Sequence, residues 1–410
     1  VPHPVLASRS AGVLLHVTSL ANGVLDDETE RFIDWLAEAG QRWWQILPLA
    51  PPDQYGSPYA GLSAFAACDG LVPPTAAEPV SDDDVERFRT EHHAWAGGWE
   101  AFAGPGSLAA QVRFKRRWDE VRRYAADRGI RIMGDLPLYI AQHGADRQAD
   151  PELFRNDGVA GCPPDYFAED GQLWGNPLYD WERMRADGYT WWVERVRRAF
   201  ELFDAVRIDH FRGLAAYWDI PVGAATARDG SWKPAPGHEL LSTINARLGD
   251  PALIAEDLGV ITPDVDELRL AFDLPGMVVL QFEVEHHPAQ EGRLWHEPVR
   301  IVYPGTHDNA TAAQWLAQAT DHQRWCVDES VRRAGADPVG GAWSFVQLAH
   351  AAPATTAIVT AQDLLGLGGE ARMNTPGTTA GNWSWRLQPG QLTRELAHRL
   401  RELTQEFGRA

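Results

Sequence analysis

Short unbroken apolar runs alternate along this chain with longer segments whose apolar residues recur three and four positions apart. Residues 13–16 form the first run, and residues 43–47 (WWQIL) the second. Between them, residues 27–40 place Phe32, Trp35 and Leu36 on one stripe, with Asp27 as a cap and Gly40 as a stop, which predicts a helix. Residues 108–128 repeat the helical pattern through Val112, Phe114, Trp118, Val121 and Ala125, and a third run follows at 131–133. Helical patterns at 189–202, 238–248 and 262–272 lead into runs at 205–208, 253–255 and 277–282. A seventh run at 299–303 precedes a helix at 310–319, an eighth lies at 356–360, and an amphipathic helix closes the chain at 392–407.

Eight apolar runs separated by helices are the arithmetic of an α/β (β/α)8 TIM barrel, and fully buried parallel strands read as continuous apolar runs. We expect one barrel over residues 1–410. Two stretches, at about 50–106 and 142–187, have loop composition and are too long for ordinary connections. They follow strands 2 and 3, on the face where such barrels carry their sites, and are expected to roof a groove there.

A length of 410 residues suffices for such a barrel with insertions. The formal charge of -20 argues against nucleic-acid or anionic-membrane partners, whose phosphates would be repelled, and is compatible with a neutral substrate or with solubility alone. Eighteen tryptophans stand out: most are expected in the core, a few against sugar rings. Cys68, Cys162 and Cys326 show no zinc-binding spacing. With no apolar leader over residues 1–12 and no run near 18 apolar residues, a reducing, cytoplasmic location is the expectation.

The chemistry lies at the ends of the runs. GDLP (134–137), VRIDH (206–210), IAED (254–257) and GTHDN (305–309) each set an acid at or just past a buried strand: Asp135, Asp209, Glu256 and Asp308. Retaining cleavage of a glycosidic bond needs a carboxylate nucleophile and a carboxylic acid about 5–5.5 Å apart. Adjacent strands lie about 4.8 Å apart, so Asp209 after strand 4 and Glu256 after strand 5 would face each other at that separation. Arg207, two residues before Asp209, shares its face and would keep it ionised. Glu256 would need a raised pKa from burial and neighbouring carboxylates. Asp308 could accept hydrogen bonds from sugar hydroxyls. Taken singly, each feature has a structural explanation: Arg207–Asp209 as a rim ion pair, Asp257 turned away to support a loop, Asn309 as a helix cap. Four acids at the mouths of strands 3, 4, 5 and 7 together point to a site.

These segments, with GVLLHVTS (12–19), AEAGQRWWQILPL (37–49), SPYAGLSAF (57–65), GCPPDYFAEDGQLWGNPLY (161–179), VRIDHFRG (206–213), IAEDLG (254–259), QDLLGLG (362–368) and RMNTPGTTAGNWSWR (372–386), resemble the 4-α-glucanotransferases called amylomaltases or disproportionating enzymes, glycoside hydrolase family 77 of the α-amylase clan. The resemblance implies Asp209 as nucleophile, Glu256 as general acid/base and Asp308 as transition-state stabiliser. It implies that Asp135, Arg207, His210 and His307 line the subsite of the transferred sugar. Ser57, Tyr59, Asp165, Tyr166, Gln172, Trp174 and Asn374 would contact the glucan, with residues 163–174 covering the groove. It implies α-1,4-glucans and maltooligosaccharides as substrates, glucose as an acceptor, and neither metal nor organic cofactor. A hydrolase of the same clan and an inactive glucan-binding protein are the alternatives. Three departures mark this chain: ANGVLDD (21–27) replaces a PGPxGIGDLG-like loop after strand 1, the stretch between Gly70 and Leu108 is trimmed in a chain shorter than its bacterial counterparts, and Ala310 stands where an acid is common.

Overall fold

The computed structural model describes residues 2–76, 78–164, 169–284 and 299–410. Eight parallel strands form the (β/α)8 barrel sheet: β1 (Ser10–Leu14), β2 (Trp43–Gln45), β3 (Arg131–Leu136), β6 (Ala205–Ile208), β9 (Leu253–Ala255), β10 (Gly276–Val279), β11 (Arg300–Tyr303) and β12 (Thr356–Thr360). Their order is β10-β11-β12-β1-β2-β3-β6-β9. A second, antiparallel sheet has the order β5-β4-β7-β8, from β4 (Phe154–Cys162), β5 (Gln172–Tyr179), β7 (Ala216–Pro221) and β8 (Ser231–Pro234). The chain divides into two compact units, residues 1–47, 118–134 and 274–410, and residues 48–117 and 135–273.

In the first unit, β1 pairs with β2 and β12 in parallel, and β11 pairs with β10 and β12. Strands buried on both faces leave only apolar or internally bonded side chains. Trp44 packs its ring edge on Phe32 at 5.5 Å and donates its indole N–H to the Leu15 carbonyl at 2.7 Å. Gln45 and Tyr303, polar residues inside the sheet, satisfy each other at 2.9 Å. Gly12 is required: a Cβ there would stand 2.4 Å from that of Trp43. Helix Asp27–Glu38 lays Phe32, Ile33 and Leu36 on the core.

In the second unit, β6 pairs with β9 in parallel, with Ile208 opposite Ala255. Helix Thr190–Leu202 buries Trp191 and Trp192, and Trp191 meets the edges of Phe65 and Phe154 at 5.5 and 5.8 Å.

The barrel strands lie where the apolar runs predict, with shifted ends. The first strand starts earlier, at Ser10, and the third continues to Leu136. The sixth ends at Val279 instead of 282, because Leu280–Glu283, which alternates apolar and polar residues, turns helical. The Asp27–Glu38 helix is capped by Asp26, whose side chain accepts the Glu28 N–H, and not by Asp27. Helix Ala312–Gln318 is capped by Thr311; Asn309 instead accepts from Thr306 N–H and Oγ1. Both insertions carry elements of their own: the first holds helices Asp82–Glu91 and Ala96–Ala103, the second holds β4 and β5. Helices Asp321–Arg333 and Ala342–Ala351, between β11 and β12, have no counterpart in the pattern reading. Among the described residues, no helix is long and apolar enough to cross a membrane.

Candidate active site

In the second unit the carboxyl ends of β3, β6 and β9 bring Asp135, Arg207, Asp209, His210 and Glu256 together. The register of Ile208 against Ala255 sets Asp209 and Glu256 at matching positions on adjacent strands. Backbone bonds fix this: Glu256 N–H donates to the Ile208 carbonyl at 3.0 Å, and Asp209 N–H to the Leu136 carbonyl at 3.0 Å. His210 turns into the left-handed region, φ 52°, which most side chains avoid. That turn delivers its N–H to Glu256 Oε2 at 2.7 Å, while Leu258 N–H reaches Oε1 at 3.0 Å.

Arg207 is the electrostatic centre. Its Nε and Nη2 donate to Asp135 Oδ2 at 2.9 and 2.6 Å, and Nη2 also reaches Asp209 Oδ1 at 2.9 Å and the Tyr59 hydroxyl at 3.1 Å. Tyr59, from the first insertion, donates to the same Asp135 oxygen at 2.6 Å. Burial alone would lower the Arg207 pKa. Asp135, Tyr59, Asp209 and Glu256 together outweigh it and hold the guanidinium well above its ordinary value. The Glu256 pKa also rises, which for an acid favours the neutral form: burial first, then the Asp209 charge, push it well above the usual carboxyl range, against Arg207 and the two backbone N–H groups. The arrangement therefore sets a carboxyl group bonded to a cation beside a carboxyl group whose burial favours its protonated form, the kind of pair that double displacement at an acetal uses.

His210 is held neutral, its pKa pushed down to about 3 by burial and then by Arg212. Its ring meets the edge of Trp174 at 4.8 Å and lies 6.3 Å from Tyr139. Trp174, from the second insertion, is 37% exposed and donates to Gln172 at 3.0 Å. Ser57 opens a turn through its backbone, donating its N–H to Asp53 at 2.9 Å. Asp257 turns away, fully buried beside Arg269 of helix Pro263–Ala271 at 3.4 Å.

In the first unit the turn after β11 presents Asp308, its side chain 41% exposed, with His307 Nε2 3.3 Å from Oδ2. Asn374 donates its side-chain amide to Asp308 Oδ1 at 2.6 Å. His16, at the end of the first run, accepts the Leu47 N–H at Nδ1 and stays neutral, its pKa lowered to about 3 by burial and then by His307.

Thus Ser57, Tyr59, Asp135, Gln172, Trp174, Arg207, Asp209, His210 and Glu256 belong to one unit, and His307, Asp308 and Asn374 to the other. Asp165 and Tyr166 lie outside the described residues. Two neighbours escape the pattern reading. Tyr139 packs on His210 but sits past the end of a run. Arg372 bonds the Asp308 carbonyl at 2.8 Å and falls inside the RMN segment, of which only the asparagine is singled out. Among the described residues no group of three or more His, Cys, Asp or Glu is placed to hold a metal ion.

The family model described as 4-alpha-glucanotransferase, glycoside hydrolase family 77, matches residues 14–95 and 107–393. Its break at 96–106 falls in the trimmed insertion. A chloroplastic/amyloplastic 4-alpha-glucanotransferase of Arabidopsis thaliana is 37% identical over 509 residues, covering 100% of this chain and 87% of its own length. A 4-alpha-glucanotransferase of Synechocystis is 37% identical over 501 residues, covering 99% of both. Both alignments exceed the 410 residues here, so the relatives carry residues that this chain lacks. The amylomaltase of Streptococcus agalactiae, solved in complex with acarbose, superposes with a TM-score of 0.90 at 30% identity, covering 98% of this chain and 100% of its own. With agreement along nearly its whole length in sequence and in fold, the chain belongs to the 4-α-glucanotransferase family, glycoside hydrolase family 77.

Proposed function

We propose that Asp209 is the nucleophile, Glu256 the general acid/base and Asp308 the stabiliser of the transition state. The protein is a 4-α-glucanotransferase, an enzyme that transfers glucan segments. The observation that carries these roles is the pairing of Asp209, bonded to Arg207, with the buried Glu256 on the adjacent strand.

An α-1,4-glucan lies across Asp209. Glu256 gives its proton to the bridging oxygen, the anomeric carbon–oxygen bond breaks, and an Asp209 oxygen forms a glycosyl ester to the same carbon. The reducing-end fragment leaves. An acceptor 4-hydroxyl then gives its proton to Glu256, attacks the anomeric carbon and releases Asp209, which restores both carboxyl groups. Asp308 accepts hydroxyl hydrogen bonds that strengthen as the ring flattens. Ser57, Tyr59, Asp165, Tyr166, Gln172, Trp174 and Asn374 contact the glucan, and Asp135, Arg207, His210 and His307 line the subsite of the transferred unit. Maltooligosaccharides serve as donors and acceptors, with glucose the smallest acceptor. A glucan substrate and three scattered cysteines support a reducing, cytoplasmic site of action.

The test is incubation with maltotriose alone, with products resolved by length. Longer maltooligosaccharides together with released glucose are expected. Glucose and maltose with nothing longer would replace transfer by hydrolysis and direct attention to the divergent residues 21–27. No product from maltotriose or from maltoheptaose would overturn the reading.

A further inference from the structure

Asp308 sits on a turn and its side chain is 41% exposed, so the β11 strand by itself does not fix where its carboxylate points. The segment after β12 does. Asn374 N–H donates to the His307 carbonyl at 3.1 Å, and the Asn374 amide reaches Asp308 Oδ1 at 2.6 Å. Arg372 closes the arrangement with one edge of its guanidinium. Nη2 donates to the Asp308 carbonyl at 2.8 Å and Nε to the Asn374 carbonyl at 2.7 Å.

We propose that Arg372 is a positioning residue for the reaction: it ties the backbone of Asp308 to that of Asn374 so that the Asn374 amide orients the Asp308 carboxylate. This rests on Asp308 being the stabilising acid. A rigid fork with two parallel donors sets the spacing of two carbonyls, which the single ammonium of lysine does not reproduce. The cation also lies close enough to feel Asp308: burial lowers the Arg372 pKa and the Asp308 charge opposes that fall. The support behind the turn is built from buried groups of the same unit. Asp363 accepts the Ala312 N–H at 2.6 Å, and Gln281 donates to the Ala310 carbonyl at 2.8 Å, so the turn is held at its far end as well.

The experiment measures kcat and KM for maltotriose disproportionation in Arg372→Met, Arg372→Lys, Asn374→Ala, Asp308→Asn and the Arg372→Met/Asn374→Ala double variant. Each is assayed well below its unfolding midpoint, with the fold checked by circular dichroism. Misplacing a reacting group by about 1 Å costs on the order of 10²-fold in rate, so Arg372→Met is expected to lose about that factor in kcat with KM nearly unchanged. Arg372→Lys should recover little of it and carries the test if the Met variant does not fold. Because both residues act on one carboxylate, the double variant should lose much less than the product of the single losses. Losses that multiply, or wild-type kcat in both Arg372 variants beside an inactive Asp308→Asn, would overturn the positioning role alone. Wild-type kcat in Asp308→Asn would instead remove the assignment on which it rests.

Discussion

Arg207, on β6, donates to Asp209, two positions later and just past the strand's end, at 2.9 Å, and of the two side chains only Asp209 is open, 29% exposed against 4%. Period-two alternation puts both on one face, and the strand's end lets the second reach past the sheet. The buried cation thus serves an accessible carboxylate. A nucleophile needs both halves of that relationship: a charge kept in place, and room for a substrate carbon beside it.

Asp209→Asn replaces the proposed nucleophile while keeping its size and its contact with Arg207. Turnover of maltotriose is expected to fall by a factor on the order of 10⁴ or more. Oligosaccharide binding, followed by calorimetry or tryptophan fluorescence, should persist within a few-fold. Unchanged turnover would remove Asp209 from the mechanism.

Arg207 neutralises Asp135, whose side chain is wholly buried, at 2.6 Å. Arg207→Met leaves that carboxylate without its cation, and breaking one partner of a buried pair costs about 3–5 kcal/mol. Arg207→Lys keeps the charge but cannot span Asp135 and Asp209 together. Chemical denaturation should therefore rank wild type above Lys above Met, with both variants severely slowed. A stable, active Met variant would show that the pair does neither job.

The Glu256 pKa is raised by burial and by Asp209, so the folded protein binds this proton more tightly than the unfolded chain does. Its contribution to stability is then full below the ordinary glutamate value of 4.5 and is lost as pH rises through the folded pKa. Glu256→Gln should lose about 10²–10⁴-fold in transfer. The same variant should unfold at a higher temperature than wild type in alkaline buffer, the difference vanishing near pH 4. A thermal-unfolding series across pH decides it: a difference that does not depend on pH would rule out the raised pKa as its source.

How legible this protein is depends on how much of each element's burial is written in its own residues. The barrel strands are buried on both faces, so runs such as 205–208 and 356–360 stand out and lie where the structure has them. Acids just past those runs are conspicuous for the same reason. The antiparallel sheet is not legible. All four residues of β8 are exposed, and β4 (FRNDGVAGC) mixes polar residues and glycines with two register shifts, so neither a run nor an alternation forms. Helix Asp82–Glu91 presents only Val85 and Phe88 as apolar positions, which leaves its stripe too thin to detect, though Ser81 and Asp84 form a capping box around its start. Caps are decided by a residue or two of backbone, hence Asp26 for Asp27 and Thr311 for Asn309. Arg372 acts across 64 positions of sequence, a separation that no local pattern encodes.

Asp363, from the QDLLGLG segment, is buried and its pKa is pushed up to about 6 by burial, against the Ala312 N–H and the Thr360 hydroxyl. His307 and Arg372 line the same small cavity. A folded pKa above the unfolded value of 3.8 means that stability is full below that value and is lost as pH rises through about 6. Asp363→Asn keeps an oxygen for Ala312 and cannot ionise. Its melting temperature should match wild type near pH 4 and exceed it above pH 6. Parallel curves over that window would mean that Asp363 does not titrate there.

Arg409 is wholly buried, and among the described residues its hydrogen-bond partners are all carbonyls. Its guanidinium donates to Ser10, His350, Ala352, Ala354 and Thr355. Ser10 begins β1, and residues 350–355 lead into β12, so one side chain joins the entrances of two neighbouring strands. Arg9 converges on the carbonyls of His350, Ala352 and Ala354 as well. The two cations share acceptors, which lets Arg9 cover part of what Arg409 loses. Arg409→Met fills the space and removes the donors, leaving buried carbonyls short of partners at about 1–3 kcal/mol each where Arg9 cannot reach. Ser10 and Thr355 are the two that Arg9 does not bond, and Thr355 still accepts the Ser10 N–H at 2.9 Å, so a loss of about 1–3 kcal/mol, from Ser10, is expected. None of these groups belongs to the site, so kcat at 25 °C should stay within about two-fold of wild type while the denaturation midpoint drops. A variant with the wild-type midpoint would mean that water or Arg9 satisfies all five carbonyls, and a variant that is stable but slow would tie this end of the barrel to the chemistry.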